Sequence, residues 1–444
     1  MPVAAPVKGS TLTTFKELGL NPQLLNAIEG AGYNEPTPIQ EQAIPHVLNG
    51  HDVLGLAQTG TGKTAAFGLP LVDQLLNQPG RPDPKTVKAL ILAPTRELVN
   101  QIAENMKVYV RGTPLKVHTV VGGASINKQI EFLKRGTDVL VATPGRLIDL
   151  LDRRALRLDT ATFLVLDEAD QMLDLGFIHA LRQIASHLGK ERQTMLFSAT
   201  MPKQMEELSQ AYLDRPKRVQ VSPPGKAADK IEQCLYFVGS KGKSDLLKDM
   251  LKKNPDGLSL VFARTKHGAE KLMKHLVDRG FAAVSIHGNK SQGQRERAIK
   301  AFKSGEARVL VATDVAARGI DIPGVSHVYN YELPEVPENY IHRIGRTARA
   351  GAEGQAIALV NGAELGRLRD IEKLMKREIP VAGGERPEEE DAPARKGRGG
   401  GQRRGGNGGG PRKSFGGGKP GGKPGGKPSG KPGGQRRRRS KRAA

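Results

Sequence analysis

Three features of the sequence predict an α/β fold built as two tandem units with mainly parallel sheets. Short, almost continuously apolar runs alternate with longer amphipathic stretches, the pattern of strands buried on both faces and of the helices that cross between them. The alternation occurs twice, on either side of a polar, proline-bearing stretch at 214–230. The chain has 444 residues, too many for one ordinary core at roughly 150 residues per domain.

In chain order, residues 1–11 are expected to be a disordered N-terminus and 12–215 the first unit. Its strand candidates are DVLGLA (52–57), KALILAP (88–94), VHTVVG (117–122), DVLVAT (138–143), FLVLDE (163–168) and TMLFSAT (194–200). TRELVNQIAENMKVYV and MPKQMEELSQAYL have the spacing of crossover helices. A linker is expected at 216–230, where prolines and polar residues leave nothing for a core. The second unit, 231–380, repeats the scheme with IEQCLYFV, LSLVFA, AAVSIHG, ARVLVAT, VSHVYNY and QAIALV. The stretches KHGAEKLMKHLVDRG and QRERAIKAFKSG fit helices between them, and ELGRLRDIEKLMKRE fits a last helix.

Residues 381–444 break the pattern. From Asp391 onward, 17 lysines and arginines face one acid, which supplies +16 of the net +23, and 19 of these 54 residues are glycine. Such a composition cannot bury enough apolar surface to offset its ordering entropy, so a disordered basic tail is expected. A polycation of this kind attracts a polyphosphate backbone without reading its sequence. An acidic patch, ERPEEED (385–391), precedes it. One cysteine, Cys234, excludes an intramolecular disulfide framework and fits a reducing compartment. The start, MPVAAPVKGSTLTTF, lacks the apolar run of a secretory signal, and no stretch is long enough to span a bilayer. A cytoplasmic protein with no membrane partner is the expectation.

Chemistry enters at AQTGTGKT (57–64), between an apolar run and a helical pattern. In the turn Thr59–Gly60–Thr61–Gly62 the glycines leave backbone N–H groups free to point around phosphate oxygens, and the following helix N-terminus adds partial positive charge. Lys63 would reach the terminal phosphates of a nucleoside triphosphate, and Thr64 would offer a hydroxyl to Mg²⁺. Ala57 stands where the strict pattern has glycine. FLVLDEADQML (163–173) aims three acids at the end of an apolar run. Ligands of open parallel sheets lie beyond the carboxyl ends of the strands. Asp167 is therefore the candidate to hold the metal and Glu168 to polarise an attacking water. The alternative role for these acids is a solvated helix cap, with Asp170 as a typical capping residue.

Taken together, these motifs and those that follow resemble the DEAD-box ATP-dependent RNA helicases of superfamily 2, the bacterial RhlE-type members in particular. The resemblance covers about residues 13–375, in the family's order. It implies two RecA-like domains, ATP and Mg²⁺ as cofactors, and RNA, single strand and duplex, as partner. It implies that Gln40 of GYNEPTPIQ (32–40) bonds the adenine edge while Phe15 and Tyr33 pack near the base. By the same resemblance, Pro94, Thr95 and Arg96, the pair Gly122–Gly123, and Thr143, Pro144, Gly145 and Arg146 contact an RNA strand from the first domain. Arg264 and Thr265 of VFART (261–265), QRER (294–297) and Thr313 of ATDVAARGID (312–321) match RNA-contacting and coupling segments of the second. Asp170, Ser198 and Thr200 link nucleotide state to RNA binding, Asp321 meets the ribose, His342 relays between the two sites, and Arg346 and Arg349 of HRIGRTAR (342–349) reach the γ-phosphate. Arg346 and Arg349 are three apart in a helix-like run and can share a face. Ala348 stands where many members have glycine.

The implied activity is RNA-stimulated ATP hydrolysis coupled to local, non-processive strand separation. An ATP-gated RNA clamp would carry the same residues; a DNA-directed ATPase of the same superfamily would share the two-lobed engine, but GYNEPTPIQ and DEAD argue for the RNA-acting family. Ribosomal-assembly or RNA-degradation proteins are partners implied only by relatives.

Overall fold

The computed structural model describes residues 14–387 except 59, 79, 222–230, 318–319, 321, 323 and 349–352. The expected N-terminal disorder, most of the tail and much of the expected linker thus lie outside the described residues. Thr59, Asp321 and Arg349 do too.

Two seven-stranded sheets form the frame. The first contains β1 (Val53–Leu56), β2 (Val87–Leu92), β3 (Val117–Val120), β4 (Thr137–Ala142), β5 (Phe163–Leu166), β6 (Gln193–Ser198) and β7 (Lys217–Gln220). The second contains β8 (Glu232–Phe237), β9 (Leu258–Phe262), β10 (Ala283–Ile286), β11 (Val309–Ala312), β12 (Val325–Asn330), β13 (Gln355–Val360) and β14 (Val381–Gly383). Their orders are β3-β4-β2-β5-β6-β1-β7 and β10-β11-β9-β12-β13-β8-β14, so the second lobe repeats the topology of the first. The ladders described are parallel throughout, for example Leu54 opposite Leu196 and Val261 opposite Val311.

Alternate side chains of each central strand enter opposite layers, because successive residues point to opposite faces. Ala89 and Ile91 join the layer of the helices Lys63–Leu76 and Arg96–Tyr109, while Leu90 and Leu92 join that of the helices Pro144–Asp152 and Ile178–Ser186. Both sets are excluded from solvent, which is why these runs read as continuously apolar.

Two boundaries differ from the sequence expectation. The expected linker at 216–230 holds β7, which pairs with β1 along Val53–Leu56. The expected tail, from 381, begins with β14, which pairs with β8. Both are edge strands. Val219 alone is buried in β7, and no β14 residue is fully buried, so neither carries the apolar signature of an interior strand.

Candidate active site

The turn after β1 is built around two glycines in the left-handed region, Gly60 (φ 86°) and Gly62 (φ 92°). A Cβ on Gly62 would collide with the Gln40 side-chain amide and the Thr37 hydroxyl, so only glycine lets the loop lie this close to the preceding segment. Gly62 caps the helix Lys63–Leu76, whose first N–H groups face the loop's hollow. Lys63 is 5% exposed and its Nζ donates to the Ala57 carbonyl at 3.0 Å, which folds the ammonium over the turn. The Thr61 hydroxyl braces the loop by donating to the Gln58 carbonyl at 2.7 Å.

Asp167 and Glu168 follow β5 and are each 2% exposed. Glu168 adopts a left-handed backbone (φ 51°), an uncommon and strained state for a side chain-bearing residue. Its amide donates to Asp167 Oδ1 at 3.0 Å. Burial holds the Asp167 carboxyl well above the usual carboxylate range; the Lys63 charge opposes this and the Glu168 charge adds to it. A loop shaped for phosphate, a buried lysine, a threonine hydroxyl and a buried carboxylate form a donor set that suits a hard divalent cation with a triphosphate. Gln40, Gly60, Gly62, Lys63, Thr64, Asp167 and Glu168 line one cavity of ≈ 380 Å³, together with Tyr33.

Asp170 is not the cap: Glu168 holds that position before the helix Ala169–Asp174, and Asp170 lies in its first turn. Its Oδ2 accepts from the amides of Ala199 (3.1 Å) and Thr200 (2.9 Å) and from the Thr200 hydroxyl (2.9 Å). Ser198 donates to the Thr200 carbonyl at 2.7 Å. Because β6 runs between β5 and β1, the 198–200 segment lies directly between the carboxylate and phosphate loops.

The aromatic group at the cavity's end is an edge-to-face series. Phe15 meets Tyr33 at 6.3 Å and Tyr33 meets Tyr109 at 6.0 Å, with the two hydroxyls 2.9 Å apart. Tyr33 and Tyr109 line the cavity, whereas Phe15 is buried behind them. Gln40 accepts from the Thr37 amide at 2.9 Å and donates to the Gly62 carbonyl at 3.0 Å. It therefore ties its segment to the phosphate loop, with one amide hydrogen and one lone pair left for a ligand.

Several residues expected to meet RNA have structural partners. The Thr95 hydroxyl accepts from the Leu98 amide at 3.3 Å and that of Thr265 from Gly268 at 3.0 Å, so both cap the helices they precede. Thr143 precedes the helix opened by Pro144 and Gly145, and Arg146 donates to the Ala124 carbonyl at 3.0 Å. The Thr313 carbonyl accepts the amides of Ala316 and Ala317. Arg264 lies 3.7 Å from Glu332 and 3.6 Å from Glu335. The space beside Gly122 and Gly123 is filled by the Arg96 guanidinium, which a Cβ on Gly123 (φ 75°) would strike. Pro94 is buried where β2 gives way to this helix.

Contacts between the lobes add Gln292 and Glu97, which the sequence reading did not single out, to Arg96 and to Arg295 of QRER. Arg96 donates to Gln292 Oε1 at 3.4 Å, Gln292 donates to Glu97 at 3.4 Å, and Arg295 pairs with Glu97 at 3.2 Å. The only sequence sign was the charge-rich run QRER, which begins two residues after Gln292.

HRIGRTAR is not one helix. The helix Pro337–Ile344 stops with Gly345 as its cap, and Ala348 takes a left-handed backbone (φ 54°). The helix thus ends before Arg346, so the helix-like run expected there is not formed; Arg349 lies outside the described residues. Arg346 is 5% exposed and donates to the carbonyls of Ile320 (2.9 Å) and His342 (3.2 Å); it is absent from the lining of the 380 Å³ cavity. His342 and Arg346 border a small recess together with Asp314. Arg343, which the sequence reading did not single out, is 2% exposed and grips both Asp314 oxygens (2.5 and 2.7 Å) over the face of Phe262.

Comparison with known proteins gives concordant matches. The family model described as DEAD/DEAH box helicase matches residues 37–208, and that described as helicase conserved C-terminal domain matches 242–351. The DEAD-box ATP-dependent RNA helicase CshA of Bacillus cereus is 43% identical over 368 residues, which cover 83% of this chain and 69% of that protein. Dbp5 of S. cerevisiae, solved bound to RNA and ADP BeF3, is 34% identical, with a TM-score of 0.75 over 83% of this chain and 95% of that one. Mss116p, solved bound to ssRNA and AMP-PNP, is 29% identical, with a TM-score of 0.77 over 86% of this chain and 81% of that one.

Proposed function

This chain belongs to the DEAD-box ATP-dependent RNA helicases, and from that premise we propose how its own residues couple ATP hydrolysis to RNA remodelling. One observation carries the reading. A single cavity gathers Gln40, Lys63, Thr64, Asp167 and Glu168 from segments far apart in the sequence.

ATP lies with its phosphates on the Gly60–Lys63 turn, where backbone N–H groups and the Lys63 ammonium offset the charge. Thr64 and Asp167 would hold Mg²⁺, which when bound would neutralise charge on the phosphate oxygens. Glu168 takes the proton of the attacking water. Thr59 completes the turn, Asp321 meets the ribose, and Arg346 with Arg349 stabilises the transferring phosphoryl group from the second lobe. For Arg346 this requires exchanging its bonds to Ile320 and His342 for phosphate oxygens. RNA crosses both lobes through Arg96, Gly122–Gly123, Arg146, Arg264 and Thr313, and Asp170 transmits nucleotide state through Thr200. ATP and RNA binding are then reciprocally favourable. The RNA carried by relatives of known structure supports this partner. We infer a cytoplasmic setting, supported by the single cysteine, and protein partners from ribosome assembly or RNA degradation.

The test is Glu168→Gln. Removing a general base costs ~10²–10⁴-fold in turnover, so this variant is expected to form a long-lived complex with ATP and RNA and to lose steady-state ATPase. Ordinary turnover would remove Glu168 from its role. Strand-displacement and ATPase assays run side by side, with RNA and with matched DNA, separate a remodelling enzyme from a clamp and from a DNA-directed motor.

A further inference from the structure

The open edge of the second sheet carries a groove that shares Gln294 and Arg297 with the QRER run expected to meet RNA, while its other lining residues have no part in the nucleotide and RNA reading. β10 ends the strand order and pairs only with β11. The amide of Val309 bonds the Ala282 carbonyl and that of Thr313 bonds the Ile286 carbonyl. By the alternation of a strand's backbone groups, those of Ala283 and Ser285 therefore point away from the sheet. A groove of ≈ 510 Å³ lies over this edge. One wall is Met273 and Ala283, which pack with the layer of the helix Lys266–Asp278; the other is Val284 and Ala298, which pack with the layer of the helix Gln292–Lys303. The groove thus straddles an edge strand between the two helical layers.

Its rim is cationic. Lys290, Arg297 and Lys300 line it against one acid, Glu306. Lys290 pairs with Glu270 at 2.8 Å, while Arg297 and Lys300 have no ion pair among the described residues. An unpaired strand edge with an apolar floor and a positive rim fits one class of ligand. We propose that it receives an extended acidic segment of another polypeptide, added to β10 as a further strand. Two features favour a peptide over a nucleic acid. The exposed edge offers donors and acceptors in alternation at strand spacing, which an extended peptide backbone matches residue for residue, whereas an RNA backbone has only its 2′-hydroxyls as donors between acceptor phosphates. No aromatic side chain lines the groove as a stacking platform for bases. The chain's own acidic stretch, 385–391, does not reach. It follows β14 at the opposite edge of the sheet. Six strand spacings amount to about 29 Å in a straight line, and eight fully extended residues from Gly383 span at most about 29 Å, which leaves no length for the detour around the helices.

The experiment uses the full chain and a fluorescein-labelled peptide of about ten residues in which Glu alternates with Val or Thr, a length matched to an ordinary strand. Fluorescence anisotropy at physiological salt is expected to show saturable binding that the same peptide with Lys for Glu does not reproduce. Ala283→Pro removes one outward N–H without touching the ladder to β11 and is expected to abolish the saturable component. Lys300→Glu is expected to weaken it by about fivefold, the scale of a reversed exposed charge. Both variants retain the basic tail, so differences between them and the parent report on the groove. Both should keep the parent's circular dichroism and RNA-stimulated ATPase. Equal binding of the lysine peptide, unchanged binding by a folded Ala283→Pro, or a loss of RNA affinity in Lys300→Glu that marks this as an RNA surface would each overturn the proposal. If Ala283→Pro does not fold, Lys300→Glu decides. Absence of RNA-stimulated ATPase in the parent would instead count against the enzymatic reading and leave the peptide result standing.

Discussion

Ala348 shows how one residue links sequence, conformation and function. Its backbone is left-handed (φ 54°), a state that costs an L-residue about 1–2 kcal/mol and glycine little. The turn persists because Thr347 donates to the carbonyls of Val325 (2.5 Å) and Ser326 (3.1 Å), which fixes the chain just after the helix. Ala348→Gly is expected to stabilise the protein by about 0.5 kcal/mol, since strain relief is partly offset by the added freedom of the unfolded chain. The melting temperature should rise by about 1–2 °C, and a fall would show that the alanine methyl contributes packing that outweighs the strain. Gly62 is the converse case, where added bulk would separate Gln40 from the loop that holds the phosphates.

Among the secondary-structure elements, β7 is the piece that reads as linker and behaves as part of the first lobe. Lys217 donates to the Asp52 carbonyl at 2.8 Å, Asp52 accepts from the amides of Thr194 and Asp214 at 2.7 Å each, and Val219 completes the core layer beneath β1. A fragment ending at 215 turns β1 into a bare edge with its apolar side chains under it. It is expected to be less stable than one ending at 221 by about 3 kcal/mol, from lost ladder bonds and the burial of Val219, and to aggregate on warming. Urea unfolding of the two fragments compares them directly, and equal midpoints would mean that β7 contributes nothing to the lobe.

Across the whole molecule, function depends on contacts between halves that are remote in sequence. Glu97 is 6% exposed and its carboxylate meets Arg295 and Gln292 from the other lobe. Arg295→Ala leaves that buried acid short of a charged partner, a loss of about 1–3 kcal/mol. RNA-stimulated turnover is expected to fall about tenfold, while ATP binding in the absence of RNA stays near the parent value. An equal loss in both would make Arg295 a general stability residue. The basic tail is expected to act at the same scale, through charge. Removing 392–444 takes away 17 basic residues and is expected to weaken RNA binding and to flatten its dependence on salt, because fewer counterions are released. An unchanged salt slope would assign the tail to another task.

Interior strands and the phosphate loop were legible because their causes are local. A two-sided strand must be apolar at every position, and a phosphate turn needs glycines at a fixed spacing before a helix. The same local chemistry singled out Lys63, Thr64, Asp167 and Glu168, which the fold brings to one cavity, and the order of the motifs pointed to the family. The tertiary structure decided what local signals do not encode. Edge strands β7 and β14 lack a continuous apolar pattern because they are covered on one side only. Lys243 and Glu364 form a buried pair across 121 residues, and Arg343 closes on Asp314 across 29. A charged side chain inside a lobe looks no different in sequence from one on its surface. Its partner, and therefore its role, is set by which distant segments the two sheets bring together, since charge is tolerated in a core only where the fold supplies the opposite charge or a hydrogen bond.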